Sequence, residues 1–184
     1  MESTSVDLLK YLKYNIGHQR IIELHYCEGN QHIELISFDK SPSGNYSRTT
    51  SKSLKLSLQA LKVIDINIDT IKEKFEQVKK GEPVEYFLHL GNLLYLRIDE
   101  NIKCVDIRKH YLPTGKTPSV QNLRPGVPGI GLKIIEFTSF IDLLQILNKI
   151  AQIDSLIPCN LKDDHKELSF LQSCKFCNPL KLYY

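Results

Sequence analysis

The sequence predicts an α+β fold: two strands-then-helix repeats, each a curved antiparallel sheet with a long helix, forming an intramolecular pseudo-dimer. Three observations carry this. Short segments alternate apolar and polar residues with the period of two that a half-buried strand requires. Each group of such segments is followed by a stretch with apolar residues at steps of three and four, the stripe of an amphipathic helix. The same order of elements then occurs a second time. At 184 residues, 42% apolar and 24% charged, the chain has the length of one domain or two small ones and an ordinary globular balance.

In the first half, Tyr14-Asn15-Ile16-Gly17 precedes R-I-I-E-L-H-Y, where Ile22, Leu24 and Tyr26 alternate with Ile21, Glu23 and His25. Glu28-Gly29-Asn30 is a hairpin signal. Ile33-Glu34-Leu35-Ile36 reads as a further strand, S-P-S-G-N-Y-S as a polar turn, and Leu54-Lys55-Leu56 as the strand before the helix. Leu58, Leu61, Ile64, Ile68, Ile71, Phe75 and Val78 form one stripe, so a single helix is expected from Ser57 to Lys80, ended by Gly81 and Pro83.

The second half repeats this order. Leu88-His89-Leu90-Gly91 precedes L-Y-L-R-I, where Leu94, Leu96 and Ile98 alternate with Tyr95 and Arg97. If the leucines are core, Tyr95 and Arg97 face outward. Asp99-Glu100-Asn101 is a turn, Val105-Asp106-Ile107-Arg108 a strand, L-P-T-G-K-T-P a polar turn and Ile130-Gly131-Leu132 the last strand. A helix over Ile134 to Ile153 follows from Phe137, Phe140, Ile141, Leu144, Leu147 and Ala151, with Pro158 closing the region. The division is a segment 1–12, a first and degenerate repeat 13–82, a second repeat 83–157 and a cysteine-containing tail 158–184. One sheet with one helix cannot bury both its faces; two such units back to back can.

Composition narrows the function. The net charge is only +3, so a basic surface must come from clustering. Tyr (9) and Phe (7) are well represented and Trp is absent, which leaves Tyr, Phe and His to stack on bases. No apolar run spans a bilayer, and the acidic start lacks the basic and apolar regions of a signal peptide. Five cysteines without an export signal point to a reducing, intracellular setting without disulfides. An enzyme is not expected, since no P-loop, G-x-S-x-G, H-E-x-x-H or dinucleotide fingerprint is present. Gly126, Gly129 and Gly131 do form G-x-x-G-x-G, but between a proline-rich turn and a short strand, where no helix N-terminus cradles phosphate.

One set of residues in the second half stands out: Gly91, Tyr95, Val105-Asp106-Ile107-Arg108, Tyr111, Pro125-Gly126, Gly129-Ile130, Leu132 and Phe137. In this order they resemble the single-stranded-DNA-binding domain of the positive-cofactor-four family of transcriptional coactivators, whose members read G-x-x-x-Y, I-D-I-R-E-Y-W, P-G-x-K-G-I-S-L and then a helix. The resemblance implies two tandem copies, a nuclear or viral replication setting, and single-stranded DNA and transcription or replication proteins as partners, without a membrane, the chain acting as a pseudo-dimeric monomer or a homodimer. Carried over by position, it assigns Arg108 and Tyr111 to nucleic acid. Tyr95, Arg97, Lys103, Lys109, Lys116 and Arg124 lie on neighbouring strands and turns. Where the family has basic residues, this chain has Asn92, Leu94, Val127 and Pro128. Arg108 and Tyr111 have opposite parity, so they share a groove only if a bulge or the strand end intervenes.

Pur-repeat and Whirly proteins share the strands-then-helix logic, so an RNA binder is an alternative. Another is a protein-interaction module that keeps the fold without the DNA groove. The first repeat offers His18, Arg20, His25, His32, Phe38, Lys40, Arg48 and Lys52. In the tail, Cys159, His165, Cys174 and Cys177 have the residue types of a tetrahedral zinc site. The alternative, and the preferred expectation, is a reduced pair packing an apolar tail, with no cofactor.

Overall fold

A computed structural model describes residues 13–17, 20–25, 32–117, 119–150, 153–158 and 174. The first repeat contains β1 (Lys13–Gly17), β2 (Arg20–His25), β3 (His32–Lys40) and β4 (Tyr46–Ser57), then α1 (Leu58–Ile66) and α2 (Ile68–Lys79). The second contains β5 (Glu85–Gly91), β6 (Leu94–Asp99), β7 (Val105–Tyr111) and β8 (Arg124–Leu132), then α3 (Ile134–Ile150). Each repeat forms its own 4-stranded sheet, β1-β2-β3-β4 and β5-β6-β7-β8, antiparallel throughout. The α+β fold of two sheet-and-helix repeats in an intramolecular pseudo-dimer is therefore the observed one.

The alternation sets the layers. Ile22, Ile33, Leu35, Leu54 and Leu56 point inward from the first sheet, and Leu90, Leu96, Ile98, Val105, Ile107, Ile130 and Leu132 from the second. They meet Leu61, Ile64, Ile71 and Phe75 of the first repeat's helices and Phe137, Phe140, Leu144 and Leu147 of α3 in one core that spans both halves. Full burial of such a side chain contributes about 1.5–3 kcal/mol, and both halves supply side chains to this one core. The packing is crossed. α3 of the second repeat lies against β1 of the first, and α1 of the first lies against β5 of the second. The sheets approach along β4 and β8, and the Asn148 side-chain amide donates to Asp65 Oδ1 at 3.1 Å, tying α3 to α1.

The structure corrects the expected single helix of the first repeat. It breaks at Asn67, whose backbone leaves the helical region (φ -100, ψ 11). Its side-chain amide donates back to the Val63 carbonyl at 2.8 Å, competing with the helix ladder for that carbonyl. The apolar stripe survives because Ile68 restarts the helix at once. The fourth strand of each repeat is longer than Leu54–Leu56 or Ile130–Leu132, reaching back to Tyr46 and Arg124.

The hairpin signals fall where alternation stops. Asp99 Oδ1 accepts from the backbone N–H groups of Asn101 (2.8 Å) and Ile102 (3.0 Å), which turns the chain from β6 into β7. Between β5 and β6 the positive φ of Gly91 (94), Asn92 (56) and Leu93 (60) makes the tight hairpin. Glu28-Gly29-Asn30 lies outside the described residues, as do segment 1–12, Cys27, Cys159, His165 and Cys177.

Candidate nucleic-acid interface

The outward face of the second sheet is built by the parity that leaves its leucines inside. Register places Phe87 opposite Arg97 and His89 opposite Tyr95 across β5 and β6, and Tyr95 opposite Arg108 and Arg97 opposite Asp106 across β6 and β7. Arg108 lies opposite Gly129 and Asp106 opposite Gly131 on β8. His110 shares this parity.

Four rings gather at the centre of this face. Phe87 stacks on Tyr95 with centroids 4.3 Å apart and planes 11° from parallel. His110 meets both rings edge-on, at 5.3 Å and 5.0 Å, and His89 lies 4.8 Å from Tyr95. Tyr95 does face outward with Arg97, but its neighbours leave it 2% exposed, whereas Phe87 on top of the stack is 37% exposed. Burial pushes the Tyr95 hydroxyl up to about 12 and the His89 imidazole down to about 4, so both are neutral at pH 7. Burial also lowers His110, against the opposing effect of the hydrogen bond its ring Nδ1 donates to the Arg108 carbonyl.

Beside Phe87 the chain between β7 and β8 folds over the sheet edge through a short 3-10 turn, Val120–Asn122. It leaves an open depression of about 640 Å³ lined by Phe87, Arg97, His110, Gln121, Leu123 and Arg124, among others. Arg124 donates only to the carbonyls of Gln121 (3.5 Å) and Leu123 (3.3 Å) and has no carboxylate partner among the described residues. Arg97 contacts Asp99 Oδ2 at 2.5 Å.

Arg108, the residue of the D-I-R motif, is committed elsewhere. Its Nη2 donates to Asp106 Oδ1 at 2.6 Å and its Nη1 to the Gly126 carbonyl at 3.3 Å. Asp106 is 7% exposed, so the strand's own carboxylate neutralises the guanidinium. The bulge that would bring Tyr111 onto the same face lies on β8 instead, where the register shifts between Arg108 and His110. Tyr111, 52% exposed, therefore keeps the parity of Lys109, opposite to that of Arg108.

The remaining predicted residues disperse. Lys109 lines a cavity between the repeats with His32 and Lys55. Lys103 is exposed in the β6–β7 turn with φ 49, and Lys116 is exposed in the turn after Tyr111. Of the predicted set, the structure puts Tyr95, Arg97 and Arg108 on one face of the sheet and brings Arg97 and Arg124 to the depression beside Phe87. Phe87, His89 and His110 were not among the predicted residues. The alternation F-L-H-L-G carried the signal for the first two, since Leu88 and Leu90 take the inward places. In the first repeat, Arg20 is held in an ion pair with Glu136 and His32 is half-buried. His18 and the side chains of His25, Lys40, Arg48 and Lys52 lie outside the described residues. Cys174, half-buried, is the one residue of the Cys/His tail set that is described. Among the described residues no cluster of His, Cys, Asp or Glu could hold a metal ion, and no helix is long and apolar enough to cross a membrane.

The fold and this face define a class: a small two-repeat α+β module with one aromatic, arginine-edged sheet surface. Comparison with family models, curated proteins and solved structures returns no match.

Proposed function

We propose that this chain is a non-catalytic single-stranded nucleic-acid-binding module acting in transcription or replication inside the cell. The observation that supports this reading is the half-exposed Phe87 ring, braced flat on Tyr95 at 4.3 Å, beside a depression edged by Arg97 and Arg124. A braced ring offers a base a platform at little entropic cost, and flanking guanidinium groups suit the phosphates on either side. The resemblance to positive cofactor four points the same way and favours DNA; a Pur-like or Whirly-like use of RNA is separated from it by the 2′-hydroxyl.

The test is titration with oligo-dT, duplex DNA and RNA at two salt concentrations. Single strands should bind tightest, with affinity falling as salt rises, and Phe87→Ala should weaken binding by about 1–3 kcal/mol. A second reading, a protein-interaction module, is favoured by Asp99 and Asp106, which neutralise Arg97 and Arg108. It predicts no salt-dependent affinity for any of the three nucleic acids.

A further inference from the structure

The two repeats meet at junctions that occupy the same place in the fold but contain different chemistry. β2 opens with Arg20, opposite Gly17; β6 opens with Leu94, opposite Gly91. On the neighbouring strand Arg20 faces Ser37, and Leu94 faces Lys109. The third residue of the helix after the fourth strand is Ala60 in the first repeat and Glu136 in the second. Arg20 thus stands where Leu94 stands, and Glu136 where Ala60 stands.

At one junction Arg20 Nε lies 3.6 Å from Glu136 Oε1, with side chains 24% and 11% exposed. Arg20 Nη1 also donates to Ser37 Oγ, and Glu136 Oε2 accepts from the Lys133 backbone N–H at 2.9 Å. A Cβ on Gly17 would come within 2.6 Å of Glu136 Cγ, so the glycine leaves the space that the carboxylate arm fills. At the other junction Ala60 and Leu94 line one cavity with Leu90 and Gly91, and they are 1% and 6% exposed.

Each repeat carries half of each junction: Arg20 and Ala60 belong to the first, Glu136 and Leu94 to the second. Only unlike repeats match. Two first repeats would set Arg20 against Ala60 twice, and two second repeats would set Glu136 against Leu94 twice. Either pairing strands a charge in a site that water largely leaves. We propose that these four residues form a pairing code, which makes the interface of the first repeat specific for the second and rejects a like repeat from another copy of the chain. The specificity lies in what the mismatched pairings would bury. The short connection over Lys80–Val84 then makes the matching partner the one already in the same chain.

The test uses the full chain and needs no nucleic acid. Ala60→Glu with Glu136→Ala moves the carboxylate from the second repeat to the first, so each repeat now complements itself and mismatches its neighbour. By light scattering and urea denaturation the parent should be a monomer, and this variant should dimerise or lose midpoint. A double-mutant cycle applies whether or not that variant folds. Glu136→Ala alone should lower the urea midpoint, and Arg20→Leu with Glu136→Ala should recover most of the loss, because the stranded guanidinium is gone. A carboxylate-exchanged variant that remains monomeric at the parent's midpoint overturns the code, and so does a cycle in which the single losses simply add.

Discussion

Gly129→Ala adds one methyl group where the fold has no room for it. Gly129 sits opposite Arg108 in the β7–β8 ladder. A Cβ there would stand 2.2 Å from Arg108 Cβ and 3.1 Å from both Arg108 Cα and the Ile107 carbonyl oxygen, against the roughly 3.5–4.0 Å of an ordinary carbon contact. Two of those three atoms are backbone, on a strand held from both sides by β6 and β8, and no rotamer change relieves them. Arg108 itself is fixed by its paired bonds to Asp106. The ladder must part, so the upper end of the usual overpacking cost is expected, about 3 kcal/mol, or a fall in Tm of roughly 6–12 °C for a chain of this length.

Gly131→Ala is the control. Its nearest obstacle is Cys104 Sγ at 3.0 Å, with nothing else closer than 3.9 Å, and a thiol can turn aside. It should cost about 1 kcal/mol, and Cys104→Ala should recover the loss. Urea unfolding followed by circular dichroism reads all three variants. A Gly129→Ala protein with the parent's midpoint, or one less affected than Gly131→Ala, refutes the steric argument.

His89 is held neutral by burial, with its pKa brought down to about 4. Between that value and the ordinary 6.5 the unfolded chain binds the proton and the folded chain does not, so stability falls as pH drops through this window and levels off below it. The loss should be about 3 kcal/mol, and His89→Gln should flatten the profile of urea midpoint against pH between 7 and 4. Asp106→Asn removes the charged partner of the part-exposed Arg108 and should cost about 1–3 kcal/mol, read as a lower Tm. Adding Arg108→Leu should restore part of it, since no charge is then left without its partner.

Most of the architecture was legible because it rests on local chemistry. The alternation of Leu94, Leu96 and Ile98 with Tyr95 and Arg97 needs only the geometry of a strand, and the stripe through Phe137, Phe140 and Leu144 only that of a helix. The break at Asn67 was hidden because the stripe passes over it unchanged, while its cause is one side-chain amide turned back on the Val63 carbonyl. At the candidate site, parity was legible but exposure was not. That Tyr95 lies beneath Phe87 depends on rings contributed by β5 and β7, and that Arg108 is spent on Asp106 depends on two residues of one strand sharing a face. The glycines after Pro125 resembled a phosphate loop in letters alone; Gly129 lies beneath Arg108, and Gly131 faces Cys104 and Asp106.

Crossed packing also bears on how the protein is made. α3 covers the apolar side of the first sheet along β1, where its first turn meets the strand through Gly17 and Glu136. Roughly 120 residues separate those two residues, and at about 5–20 residues per second of synthesis the ribosome needs roughly 6–24 s to deliver the second after the first. During that interval the nascent first half carries an uncovered apolar surface and its own exposed strand edges. Completion of the shared core thus waits on translation of the second half, because the core includes Phe137, Phe140, Leu144 and Leu147 of α3.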